Sequence, residues 1–197
     1  MEQEKFDVQY IRKLAEEVSK SSLVPYDDLP KYDLFLSQVI DYLNDKFSNE
    51  KYTNNIVQNY IKSGVISKPE YGKKRGYTKL HLAQLVLLSY MRPILTTEDI
   101  SKVFRLAFND INDRHDDIIS WEDAYKIFSQ IQQKSFDTFL NVDYFNEKKF
   151  HDFIKDNNLS DKEEERIFVF LTVMTLIAKA SSIKQLVQKI VSEYEGE

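Results

Sequence analysis

The chain has 197 residues and no cysteine, which removes disulfides, cysteine-ligated zinc and thiol catalysis together. Hydrophobic residues make up 42% and aromatics 13%, enough apolar mass for one large domain or two small ones rather than a disordered chain. The net charge of −5 argues mildly against a nucleic-acid partner, but its distribution matters more than its sum. Residues 51–79 carry seven Lys/Arg against the single acid Glu70, a net +6, while the acids collect on both flanks.

The N-terminus lacks the basic and apolar regions of a signal peptide. Residues 5–20 place Val8, Ile11, Leu14, Ala15 and Val18 at helical spacing. A linker with Pro25 and Pro30 follows, and then a helix over 33–47 with Phe35, Leu36, Val39, Ile40, Leu43 and Phe47 on one stripe. The next helix begins at Thr53 as N-cap and stops at Gly64, which reads as a C-cap glycine. Its residues Asn55, Gln58, Asn59 and Lys62 fall at i, i+3, i+4 and i+7 and share one face. Ile56, Val57, Tyr60 and Ile61 share the other.

Val65–Ser67 and Arg75–Thr78 have the composition of a small hairpin, with Lys73, Lys74 and Arg75 at its tip between Gly72 and Gly76. An apolar helix over 79–91 ends at Pro93. Thr96 or Thr97 caps a helix over 98–111 carrying Ile100, Val103, Phe104, Ala107, Phe108 and Ile111. The polar run Asn109–Asp117 separates this half from the next. Ser120 with Asp123 resembles a capping box opening a helix over 121–134. Its stripe of Trp121, Tyr125, Phe128 and Ile131 is expected to pack as core. A helix around 144–157 follows. Ser160 with Glu163 opens a helix over 161–179, apolar nearly all round and expected to be the centre of a helical domain. A last helix carries Ile183, Leu186, Val187, Ile190, Val191 and Tyr194. The apolar run Ile167–Ala178 is shorter than the ~20 residues of a membrane span, so no membrane association and a cytoplasmic location are expected.

Two Asn and one Gln on an exposed face can pair bidentately with adenine in the major groove, and lysine can reach guanine or phosphate. Such a row alone is also what any solvated helix face offers. The order amide-rich helix, glycine stop, basic turn, apolar helix is the more specific signal. In that order, residues 52–104 resemble the MerR-type winged helix-turn-helix. Thr53 stands at the cap, Tyr60 at the helix tyrosine, Gly64 at the glycine, Val65-Ile66 at the apolar pair, Arg75-Gly76-Tyr77 at the wing end and Thr96-Thr97-Glu98-Asp99-Ile100 at the last helix start. Gln58 and Asn59 replace an arginine and a tyrosine usual there, and His81 replaces an acid. With its lead-in Leu29-Pro30 to Asn44, the stretch 29–130 looks like the domain of unknown function 1836 family of Gram-positive bacteria.

Six or more amphipathic helices and a single hairpin candidate predict a mostly α fold: an N-terminal helix and linker (1–28), a MerR-like winged helix-turn-helix with one β-hairpin wing (29–113), and a helical dimerisation or effector bundle (114–197). A transcriptional regulator that binds double-stranded DNA is expected, and because one short helix and a wing contact few phosphates, it is expected to act as a homodimer on two half-sites. Gln58, Asn59 and Asn55 would read bases; Thr53, Lys62, Lys73, Lys74 and Arg75 would hold phosphates; Tyr77 would either touch phosphate or close the base of the wing. The alternative is a non-catalytic helical module whose basic patch binds an acidic protein. No enzyme, metal or cofactor is expected. The three histidines lack metal-ligand spacing, and no nucleophile elbow, P-loop or dinucleotide fingerprint is present. The segment 111–122 mimics half an EF-hand, but Ile111 and Asp116 stand where the loop needs an oxygen ligand and a glycine.

Overall fold

In a computed structural model, the chain is described over residues 7–22, 24–47, 51–69, 76–141 and 160–194, with the side chains of 8, 19–22 and 135–141 excepted. The helix expected at 144–157 and the basic tip Lys73-Lys74-Arg75 lie outside the described residues. Among the described residues there are seven helices: α1 (Val8–Ser22), α2 (Leu36–Lys46), α3 (Asn54–Lys62), α4 (Lys79–Met91), α5 (Thr97–Arg105), α6 (Trp121–Asn141) and α7 (Asp161–Glu193), with a 3-10 turn at Tyr26–Asp28. The fold is mostly α.

Two compact units form. One comprises Ser21–Gln133 with Gln188–Glu197, the other Met1–Lys20 with Lys134–Val187. The first is built around α4, in which His81–Val86, Leu88 and Ser89 are buried. A helix covered on most sides needs apolar residues on most sides, which is why its sequence shows little amphipathicity. α2 delivers Val39 and Leu43 and α3 delivers Val57 and Ile61 to the same core. Phe104 and Phe108 meet Trp121, whose ring stacks on Phe108 with centroids 3.5 Å apart. Tyr125 is buried and donates to the Val24 carbonyl at 2.8 Å, fixing the segment before the 3-10 turn to α6. Phe128 sits against Tyr90, whereas Ile131, the last of that stripe, is exposed.

Three elements differ from the sequence expectation. Helix α5 stops at Arg105, although apolar periodicity ran on to Ile111. Asp110 Oδ1 accepts from the Asn112 N–H and Asp113 Oδ1 from the His115 N–H, local bonds that compete with the helix ladder. Phe108 reaches the core from a turn. Second, no strand occurs among the described residues. Val65 and Ile66 are buried, both donating backbone N–H groups to the Tyr60 carbonyl, and Tyr77 forms its antiparallel bridge with Leu34. The apolar pair is used up by the helix cap and the core, so the pairing of 65–67 with 76–78 does not form.

Third, the two helices expected after Ser160 are one. Nothing in Ala180-Ser181-Ser182 breaks a helix, and Ser182 Oγ bonds back to the Ala178 carbonyl at 3.0 Å. Only Phe168 and Thr172 are buried among its described residues, while Phe170, Met174, Ile177, Ile183 and Leu186 are exposed. The buried central helix of the described structure is α4, not this one. An apolar sequence says that a face wants cover, not what covers it. Joined into 33 residues, α7 is long and apolar enough to cross a membrane by length and composition alone.

Candidate nucleic-acid interface

Helix α3 is held by its neighbours at both ends. At its entrance, Asn44 of α2 clamps the backbone of Tyr52. The Tyr52 N–H donates to Asn44 Oδ1 at 2.6 Å, and Asn44 Nδ2 donates to the Tyr52 carbonyl at 3.1 Å. The Tyr52 ring is buried, its hydroxyl 2.7 Å from Ser89 Oγ on α4, with the Arg92 guanidinium 4.3 Å above its face. Burial pushes the Tyr52 phenol up, partly offset by the bonds from Ser89 and Arg92. Thr53 follows with extended backbone, and its Oγ1 accepts from the Ile56 N–H at 3.3 Å, the N-cap the sequence implies.

At its exit, Gly64 takes φ +70°, the left-handed conformation that a C′ glycine supplies. The chain then passes under α4. The Ser67 N–H and hydroxyl both donate to Gln84 Oε1, at 3.0 and 2.9 Å, and the Lys68 N–H donates to Asn112 Oδ1 at 3.0 Å. Gln84 is fully buried.

Between these anchors the outer face carries Thr53, Asn54, Asn55, Asn59 and Lys62, all exposed. Asn55, Asn59 and Lys62 therefore share one open row, with Lys51 exposed at one end and Lys68 at the other. Gln58 is placed differently. It is half-buried, and its Nε2 donates to the Tyr77 hydroxyl at 3.3 Å. Tyr77 is itself buried, its phenol pushed up by burial and drawn back by Gln58. Tyr77 is thereby tied to α3. Lys79 leaves the row and stands 3.8 Å over the Tyr26 ring.

His81, the residue that replaces an acid, caps α4. Its Nδ1 accepts from the Thr78 N–H at 3.1 Å, as a carboxylate would at that position. Among the described residues no group of three His, Asp or Glu could hold a metal ion. In the acidic loop 110–117, Asp110, Asp113 and Asp116 turn their carboxylates onto the loop's own backbone.

Sequence reasoning missed Asn44, Tyr52 and Gln84, the three side chains that seat α3 and its exit. A buried polar residue inside an apolar helix, as Gln84 is, was the one available signal.

The fold and this surface define a mostly α-helical domain that presents a capped, amide-rich helix within a stretch of basic sequence. The chain belongs to the family described as Domain of unknown function (DUF1836), whose profile matches residues 24–128. No curated protein and no solved structure matches the chain.

Proposed function

We propose that this protein is a sequence-specific, double-stranded DNA-binding transcriptional regulator of the cytoplasm, using α2, α3 and the basic segment 68–76 as a MerR-like winged helix-turn-helix. The observation that carries the reading is the exposed row Asn55–Asn59–Lys62 on a helix fixed at both ends, inside a stretch of net +6. Fixed amides can discriminate bases, because the donor and acceptor of one side chain must meet two edge groups at once. Asn59 and Asn55 are the base readers. Gln58 joins them by exchanging its bond to Tyr77 for a base. Thr53 leaves backbone N–H groups at the α3 N-terminus facing a phosphate. Lys62, Lys73, Lys74 and Arg75 hold phosphates, where charge alone suffices.

One short helix and one basic segment touch few phosphates, so the protein acts as a homodimer on half-sites about 34 Å apart. The exposed apolar positions of α7, including Ile183 and Leu186, supply a surface for that association. The overall charge of −5 favours one competing reading, a non-catalytic module whose basic patch binds an acidic protein. A salt titration of binding to labelled genomic DNA fragments separates the two. The DNA reading predicts affinity falling steeply and log-linearly with salt. No binding at low salt and high protein concentration supports the acidic-partner reading.

A further inference from the structure

The final turns of α7 return to α5 within the larger unit, and Gln188 Nε2 approaches the Ile94 carbonyl at 3.4 Å. They leave a cavity of about 380 Å³ between Val103 and Leu106 on one side and Ile190, Val191 and Tyr194 on the other. Leu106, Ile190 and Tyr194 are each at least half exposed around it, an unusual use of large apolar side chains. Two cations stand at its rim, Lys102 and Arg105. They are not equivalent. Lys102 is neutralised by Glu98 at 3.1 Å and Asp99 at 3.8 Å. Arg105 forms no ion pair or hydrogen bond among the described residues, not even with Asp110, which shares with it the wall of a neighbouring cleft.

An apolar cavity of this size with one convergent charge is the usual form of a small-ligand site. A free guanidinium selects a planar carboxylate, which it grips with two parallel hydrogen bonds. We infer that this cavity binds a small amphipathic monocarboxylate: the carboxylate on Arg105, the aliphatic tail against Leu106, Ile190 and Val191. The volume suits a medium-length acyl chain, and a bare acetate would leave the apolar walls wet. The occupant is a free acid, because an ester or an alcohol has no charge for Arg105 to meet.

The inference stands apart from the DNA reading, and its test contains no DNA. Thermal unfolding of the full chain is followed with hexanoate, octanoate, octan-1-ol and acetate. Octanoate should raise the midpoint saturably, with apparent affinity about fourfold tighter per added methylene from hexanoate. Octan-1-ol and acetate should do little. Arg105→Gln should abolish the octanoate effect, and Lys102→Gln should retain it. Arg105 is exposed, so its substitution leaves the fold intact; Leu106→Glu, which sets a like charge in the cavity mouth, should abolish binding as a second variant. A midpoint indifferent to octanoate would overturn the inference, as would an equal shift with octan-1-ol or an undiminished shift in Arg105→Gln. A rise caused by a change of oligomeric state, read by sedimentation in the same samples, would overturn it too.

Discussion

Replacing Asn44 with alanine probes how α3 is held without touching its outer face. The side chain makes two hydrogen bonds to the Tyr52 backbone, at 2.6 and 3.1 Å. Each such bond contributes about 1 kcal/mol net, and a polar group left unpaired in a covered site costs about 1–3 kcal/mol. Tyr52 is 2% exposed, so water reaches its orphaned N–H and carbonyl poorly. A loss of about 2 kcal/mol follows, or about 4–8 °C in the midpoint for a chain of this size. Asn44→Asp keeps the acceptor for the Tyr52 N–H and loses the donor to its carbonyl, so it should fall between. Amide exchange over residues 52–57 should speed up more than exchange within α4, because the clamp holds the entrance of α3. Urea and thermal unfolding measure the first effect, and mass-resolved exchange the second. An Asn44→Ala protein within 0.5 kcal/mol of the parent, with unchanged exchange at 52–57, would refute the reasoning.

Two further perturbations test other parts of the fold. Gly64 has φ +70°, and a Cβ there meets nothing within 4 Å, so Gly64→Ala should cost only the left-handed backbone penalty of about 1–2 kcal/mol, read by urea unfolding; a neutral result would show that the turn relaxes freely. Tyr42 has its phenol pushed up to about 12, first by burial and then by Asp28, and its hydroxyl finds no partner among the described residues. A raised phenol pKa stabilises the fold fully below about pH 10, where the unfolded phenol is neutral, and that stability is lost as pH climbs toward about 12. Tyr42→Phe should therefore match or exceed the parent at pH 8 and gain on it at pH 11; parallel melting curves at the two values would contradict this.

The sequence was most informative where a local bond decides the structure. Thr53, Thr96, Ser120 and Ser160 each accept or donate at the helix starts where their spacing placed them. Gly64 ends α3 because one residue supplies the left-handed turn. The apolar stripes of α2 and α3 were legible for the same reason, since periodicity is a property of one element. What failed depended on partners. Val65-Ile66 has strand composition, yet the Tyr60 carbonyl and the core claim it; Leu34, 43 residues earlier, takes the bridge to Tyr77. Apolar spacing continued to Ile111 because Phe108 belongs to the core, but the aspartate turns beyond it cost the helix its last turn. At the candidate site, which residues share the α3 face was legible, but the diversion of Gln58 to Tyr77 was not. That bond joins two side chains 19 positions apart, and no spacing rule connects them.

The central claim is that the outer face of α3 reads DNA, and fluorescence anisotropy on a selected site and on random duplex tests it most directly. Asn59→Ala should weaken binding to the selected site by about 1–3 kcal/mol and leave random DNA nearly unchanged, because a base contact is lost. Lys62→Ala should weaken both alike and lower the salt slope by about one, because a phosphate contact is lost. If the two variants lose the same amount on both duplexes, or if neither changes binding, the row Asn55–Asn59–Lys62 is an ordinary solvated surface and the account is wrong.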